Sequence, residues 1–530
     1  MTDEQPLSRR AARESAGGSA APKAPRQPRQ KRERAPRTRN DATTPVVIDE
    51  NGQPITPKGG IVGAIRKHPT ASLFSALAVA FLLLGTGAVF AGVAYGSTPA
   101  ALPSPQQTQV PPRPQPTAAP TTAVLRTCSV TALATDPRLM TIAGTVRLTD
   151  SGDVLWGPRQ TEPLRTGSVL KVLTASAAIE QLGADYQITT SVLTGGAAGT
   201  IVLVGRGDAT LSNMPAGTES VYTGAPKLST LAASVIAKWS ATNPGQPITS
   251  LVLDASYWNP SDKWDSTWKR SEQTIGYHSE VTALQVDGDR SDPTRQTSPR
   301  STDPIGRAGS FFLAALRAAD PGGVVGADVT VSNGQAAGGA VLAEVKSQPL
   351  RVLIKQMLLN SDNTLAEMLA RIVSREAGLG GSAASLQQAI PSTLWPEDPE
   401  TAASVIIKDG SGLSESNGVP TQVMSAFMMR VAAGTDNLDI VRDALPVAGK
   451  SGTLASRFSG DNAIARGHVT AKTGWIDTAY TLAGFMDAAD GTRLTFAIYA
   501  IGAGIKDNAK EALDTLVTGV YKCGNNLANF

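Results

Sequence analysis

The chain has 530 residues, 41% of them hydrophobic, which is enough for roughly three to four structural units and a large buried core. The formal net charge of +3 conceals a split: residues 1–70 carry 14 Lys+Arg against 7 Asp+Glu, while the remaining 460 hold 34 against 38, a weakly acidic body that argues against nucleic-acid binding as the main function. Cys128, Cys523, His68, His278 and His468 are too few and too scattered for a zinc site or an iron–sulfur cluster, so no metal and no cofactor is expected.

Residues 1–70 are rich in Pro, Arg, Gln and Ser and nearly free of large apolar side chains, so they are expected to be disordered. Such a tail reads as a topology determinant and solubilising arm, or as a docking arm for anionic lipid or a cytoplasmic partner. From Ala71 to Gly96 there is no charged residue, and LFSALAVAFLLLGTGAVFAGVAYG exceeds the ~20 apolar residues that cross a bilayer as a helix. A cleaved signal peptide is usually only ~15 to 30 residues long in total, so 71–96 is read as a retained transmembrane helix. Arg66 and Lys67 abut its N-terminal end, whereas only Arg113 occurs between Gly96 and Val124, which places the N-terminus in the cytoplasm and the rest outside. Residues 97–124 contain eight prolines in 28 positions and are expected to form an extended spacer.

Beyond Val124 the pattern is that of an α/β protein. MTIAGTVRLTD and DVLWGP read as strands, and VLKVLTASAAIEQLG as a buried helix ended by Gly183. Residues 188–340 interleave short β-like runs (TIVLVGRGD, ITSLVLDAS, GADVTVSNG) with helical stretches and read as a separate mixed module. Helices PLRVLIKQML and TLAEMLARIV follow. GHVTAKTG then reads as a strand, TLAGFMDAADGTRLTFAIYAIG as a hairpin turning at Asp490-Gly491, and DNAKEALDTLVTGVYK as an amphipathic helix.

Two serines are followed three residues later by lysine, Ser168/Lys171 and Ser266/Lys269. Positions i and i+3 share a helix face, so hydroxyl and amine can meet, as a Ser-Lys nucleophile requires. Ser168 opens the apolar helix, where the dipole favours a developing anion and apolar neighbours partly desolvate Lys171. Ser266 lies in the polar, Trp-rich NPSDKWDSTWKR, without an apolar stripe, and reads as accidental. Ser361-Asp362-Asn363 falls between two helices and Lys472-Thr473-Gly474 ends a strand; alone, each is common turn chemistry. In this order the three motifs form the set of serine β-lactamases and penicillin-binding proteins. Lys450-Ser451-Gly452-Thr453 also satisfies the Lys-[Ser/Thr]-Gly pattern, but no hairpin follows it, so Lys472 is preferred. Trp258, Trp264 and Trp268, with Tyr257 and Tyr277, read either as the module's core or as a border of the cleft.

With LGADYQITTSVLTG, GDATLS, KDGSGLSESNGVP, LPVAGKSGTLASRF and HVTAKTGWIDTAYTLAGFMDAADGTRLTF, the chain from Cys128 to Cys523 resembles the class C low-molecular-mass penicillin-binding proteins, D-alanyl-D-alanine carboxypeptidases/endopeptidases. The resemblance implies an α/β (α+β) fold, a serine β-lactamase/transpeptidase-like domain at 125–187 and 341–530 with the mixed α/β module inserted at 188–340. It implies Ser168 as nucleophile with Lys171 as base, Ser361 as proton relay, and Asn363, Lys472, Thr473 and Gly474 as substrate-binding residues. The backbone N–H groups of Ser168 and Trp475 would form the oxyanion hole. Substrates would be peptidoglycan stem peptides, with β-lactam antibiotics as covalent inhibitors. Cys128 and Cys523, just inside the ends of the match and outside the membrane, are expected to form a disulfide. Thr166-Gly167 and Glu415 depart from the family pattern, where Pro-Ala and a basic residue are more usual. Competing readings are a β-lactamase-like hydrolase and a non-catalytic wall-binding or β-lactam-sensing ectodomain.

Overall fold

The computed structural model describes residues 125–529. The tail expected at 1–70, the transmembrane helix expected at 71–96 and the spacer expected at 97–124 lie outside the described residues. Among the described residues no helix is long and apolar enough to cross a membrane.

Two five-stranded sheets form a mixed α/β architecture. The strands are β1 Thr141–Leu148, β2 Val154–Trp156, β3 Thr189–Thr194, β4 Thr200–Val204, β5 Ile248–Asp254, β6 Val325–Asn333, β7 Val341–Lys346, β8 Val469–Ile476, β9 Ala479–Asp487 and β10 Arg493–Ile501. The helices that bear on the site are α1 Lys171–Leu182, α2 Leu228–Thr242, α3 Pro304–Ala318, α4 Leu350–Asn360, α5 Asn363–Glu376, α6 Thr421–Ala433 and α7 Ala509–Cys523.

The first sheet runs β2-β1-β10-β9-β8 and is antiparallel throughout, so its middle joins the two ends of the described chain. Side chains alternate across a strand. Along β10, Leu494, Phe496, Ile498 and Ala500 pack with Leu513, Leu516, Val517 and Val520 of α7, while Ala497 and Tyr499 belong to the core that holds Met424, Phe427 and Met428 of α6. The sheet is thereby covered on both faces, which explains why β10 reads as a near-continuous apolar run. The β9–β10 connection places Gly491 at φ +83, a conformation that favours glycine.

The second sheet runs β6-β5-β4-β3-β7. β4–β5 and β5–β6 are parallel, and the connections between these strands carry α2 and α3, since a parallel pair needs a long crossover. β7 pairs with β3 in this sheet, although the sequence reading assigns residues from 341 onward to the catalytic domain. Gly338 and Gly339, at φ +94 and +144, sit just before β7, where the chain turns back onto the module. Nor is the module packed separately. Leu203, Leu251 and Phe312 share one continuous core with Leu173 of α1, Met368 of α5 and Met424 of α6.

Cys128 and Cys523 are joined by a disulfide, 395 positions apart. Beside it, the Cys128 N–H donates to the Asn526 carbonyl at 3.0 Å and the Ala528 N–H to the Cys128 carbonyl at 2.8 Å. In the chain-entropy model, closing so long a loop stabilises by up to ~6 kcal/mol. Replacing both cysteines by serine is expected to lower Tm markedly, and reductant to lower the wild-type Tm while leaving that of the double variant unchanged. Equal Tm for wild-type and double variant without reductant would contradict a stabilising bridge.

Candidate active site

Gly167–Leu170 forms a 3-10 turn and α1 begins only at Lys171, three residues later than a helix opening at Ser168. Gly167, at φ +49, turns the chain sharply into this entrance. Ser168 is half-buried and reachable, whereas Lys171 is 0% exposed. The Lys171 Nζ donates to Ser168 Oγ at 2.9 Å, to Asn363 Oδ1 at 2.7 Å and to the Ser411 carbonyl at 2.6 Å. Two of these three partners are carbonyl-type oxygens that can only accept, while the hydroxyl can also give a proton.

Ser361 stands between α4 and α5 at φ 56 and is buried, as is Asn363, the first residue of α5. Lys472, also 0% exposed, reaches across from β8 and donates to Ser361 Oγ at 3.0 Å and to the Thr473 carbonyl at 2.8 Å. Gly474 is required by close approach: a Cβ there would lie 2.1 Å from Thr481 Oγ1, 2.4 Å from the Thr166 carbonyl and 3.0 Å from the Ser168 nitrogen. A Cβ on Gly167 would likewise lie 2.8 Å from the Trp475 nitrogen, so β8 presses against the nucleophile turn and brings the Ser168 and Trp475 amides to one place. Thr481 on β9 secures this seam by donating to the Thr166 carbonyl at 2.5 Å.

The Ser411 carbonyl belongs to the 408–420 loop, which two buried carboxylates organise. Glu367 of α5 accepts the Gly410 and Ser411 N–H groups at 3.0 and 2.7 Å. Asp409 accepts the Gly412 and Ser414 N–H groups at 2.7 and 2.6 Å, the Asn417 amide at 2.9 Å and the Trp268 indole at 2.9 Å. Burial, reinforced by the negative charge of Asp409, pushes the Glu367 carboxyl up to about 7. Folding raises this pKa above its ordinary value of 4.5, so the associated stability is fully present below that value and is lost as pH rises through about 7. Glu367→Gln, which mimics the neutral acid, is therefore expected to gain Tm relative to wild type as pH rises through that window. A Tm difference independent of pH would contradict the assignment.

The structure brings Ser168, Lys171, Ser361, Asn363, Lys472, Thr473 and Gly474 together and leaves the second Ser-x-x-Lys apart: Ser266 is exposed and Lys269 pairs with Asp477 at 2.5 Å. Lys450 is exposed, but the last residue of its motif, Thr453, shares a 2.7 Å hydrogen bond with Thr473 Oγ1, a site neighbour that the motif scan sets aside. Trp258, Trp268 and Tyr277 are buried in the module, and the Trp268 indole donates to Asp409. Glu415 accepts from Arg165 and Thr478, both at 3.3 Å, tying the loop to residues flanking the nucleophile turn and β8. Sequence reasoning gave no role to the Ser411 carbonyl, which is a backbone atom and has no side-chain signature, nor to Glu367, which looks like one more polar residue of an amphipathic helix.

A half-buried serine hydrogen-bonded to a buried lysine, beside a second serine–lysine pair at Ser361 and Lys472, is an arrangement able to support serine acyl transfer. Comparison with known proteins narrows the class. The D-Ala-D-Ala carboxypeptidase 3 (S13) family matches residues 127–297 and 289–520. Carboxypeptidase DacB of Mycolicibacterium smegmatis is 34% identical over 410 residues, covering 76% of this chain and 85% of the relative. In fold, penicillin binding protein 4 of Haemophilus influenzae superposes with a TM-score of 0.61 at 20% identity, covering 76% of this chain and 99% of that one. The same protein complexed with a β-lactam gives a TM-score of 0.55 at 21% identity, again over 76% and 99% of the two chains. The chain belongs to the D-Ala-D-Ala carboxypeptidase 3 (S13) family and is a serine-type D-Ala-D-Ala carboxypeptidase.

Proposed function

We propose that Ser168 Oγ attacks the carbonyl joining the last two D-alanines of a peptidoglycan stem peptide, with Lys171 as general base. The observation that carries this reading is the set of partners at Lys171 Nζ. A neutral amine can donate to Asn363 Oδ1 and the Ser411 carbonyl and accept the Ser168 proton across the 2.9 Å contact. The Oγ–C bond forms as the proton passes to Nζ. The C–N bond then breaks, and Ser361 relays the proton to the departing D-alanine amine. Because Lys472 donates to Ser361 Oγ, the Ser361 hydroxyl proton is directed elsewhere, as a relay requires. The Ser168 and Trp475 N–H groups stabilise the oxyanion, where one such donor typically contributes ~10² to 10³ in rate.

Asn363 binds the acyl-side amide, and Lys472 and Thr473 hold the terminal carboxylate. Water cleaves the acyl-enzyme and releases the shortened peptide. A β-lactam presents a strained amide and a carboxylate to the same groups, acylates Ser168 and leaves slowly. Residues 71–96 anchor the protein in the cell membrane with its catalytic part outside and residues 1–70 in the cytoplasm; the uncharged apolar run and the basic residues before it support this. One assay of the full chain tests the reading. Stoichiometric release of D-alanine with slow penicillin turnover is expected; rapid penicillin hydrolysis would indicate a β-lactamase, and neither reaction a scaffold. Recovery in the soluble fraction after lysis would contradict the anchor.

A further inference from the structure

Between Ser361 and Asn363 lies Asp362, and its carboxylate is held by the inserted module. One oxygen, Oδ1, caps α5 by accepting the Leu365 N–H at 3.0 Å. The other, Oδ2, accepts from Arg290 Nη2 at 2.8 Å, from the Tyr222 hydroxyl at 2.9 Å and from the Gln296 amide at 3.3 Å, all module residues. Arg290 and Asp362 side chains are each only 1% exposed, and Arg290 Nη1 also donates to the Tyr222 hydroxyl at 2.8 Å. Burial favours the neutral acid, yet the guanidinium groups of Arg290 and Arg300 hold Asp362 well below the usual carboxylate range.

The loop that delivers Arg290 is strained. Asp287 and Asp289 sit at φ 51 and 58 on either side of Gly288, left-handed values uncommon for residues other than glycine. It is pinned at every residue: Asp287 Oδ2 accepts the Asn213 N–H at 2.9 Å, Arg300 donates to the Gly288 carbonyl, and Asp289 accepts the Ser301 N–H at 2.8 Å and pairs with Arg307 at 2.5 Å. Strain of this kind persists only where surrounding structure over-determines it, and it clusters where geometry matters to function. Ser361 itself is left-handed, at φ 56, so its side-chain direction depends on how firmly the next residue is held.

We propose that Arg290 is a positioning residue for catalysis: acting through Asp362, it fixes the Ser361 hydroxyl in the orientation that protonates the leaving amine. This rests on the acyl-enzyme reading above and assigns the inserted module a part in the proton transfer. An amine cannot depart unprotonated, whereas a thiolate can, so the leaving group separates this role from general damage. The test compares kcat/KM of the full chain on an acyl-D-alanyl-D-alanine and on the matching acyl-D-alanyl thioester of thioglycolate. Arg290→Met is expected to slow the amide about 10²-fold, the scale of a small misplacement of a reacting group. The thioester should change by less than about threefold, since it does not draw on the general-acid contribution.

Arg290→Lys, which keeps the charge but loses the fork, should fall between the two on the amide. If Arg290→Met does not fold, Tyr222→Phe carries the same test with an expected amide loss of about tenfold. Equal losses on both substrates, or no loss on either, would overturn the positioning role. Wild-type protein that cleaves neither substrate would overturn the underlying reading and this proposal with it.

Discussion

Ser168→Ala is expected to abolish both D-alanine release and covalent labelling by a fluorescent penicillin, a loss on the scale of about a million-fold known for removal of a serine nucleophile. The effect should be this large because the remaining groups, however well placed, act on a bond that no longer forms. Lys171 would keep its hydrogen bonds to Asn363 and Ser411, and the Ser168 and Trp475 amides would still bind a carbonyl. The substitution removes a hydroxyl from a half-buried position, so the fold should be retained and the Tm nearly unchanged. The chain carries its own control. Ser266→Ala alters the exposed member of the second Ser-x-x-Lys pair and should leave both activities at the wild-type level. Retained labelling in Ser168→Ala, or its loss in Ser266→Ala, would reverse the assignment.

Lys171→Met should suppress acylation by at least ~10² to 10⁴, the usual contribution of a general base. Methionine has nearly the length of lysine and fills the same buried space, but it gives nothing to Asn363 Oδ1 or the Ser411 carbonyl. Two buried acceptors would then be left unsatisfied, at a cost of about 1 to 3 kcal/mol each, so a fall in Tm should accompany the loss of rate. Lys472→Ala should behave differently, because Lys472 donates to the Ser361 hydroxyl. It weakens carboxylate recognition and raises KM while Ser168 stays slowly reactive. A Lys171→Met protein labelled at the wild-type rate would remove Lys171 from the mechanism.

The chemistry of the site was legible where side chains of distinctive type recur at fixed local spacing. Ser168 and Lys171 are three residues apart, and the hydrogen bond between them is a local consequence. The Lys472–Ser361 contact joins residues 111 apart, and no spacing rule reaches so far; it was legible because the motifs occur in a recognisable order. What stayed hidden was backbone or tertiary in origin. The Ser411 carbonyl is the same atom in any residue, and it becomes a partner for Lys171 only because Glu367 and Asp409 bend the 408–420 loop. Arg290 lies 72 positions from Asp362, in a stretch with no periodic pattern. In the fold, strands and helices of the first sheet were legible because their apolar runs are bounded by turns, while the pairing of β7 with β3, about 150 residues earlier, has no local signature. Ser168 reads as the start of the helix because a mostly apolar run follows it; the 3-10 entrance follows from Gly167, whose positive φ has no signature beyond the residue itself.

The proposed acyl-enzyme forms on one serine, Ser168. The direct measurement is to label the unmodified full chain with a penicillin, digest it and locate the penicilloyl group by peptide mass. A single modified peptide containing Ser168 is expected, with Ser266 and Ser361 unlabelled. A penicilloyl group on any serine other than Ser168 would contradict it.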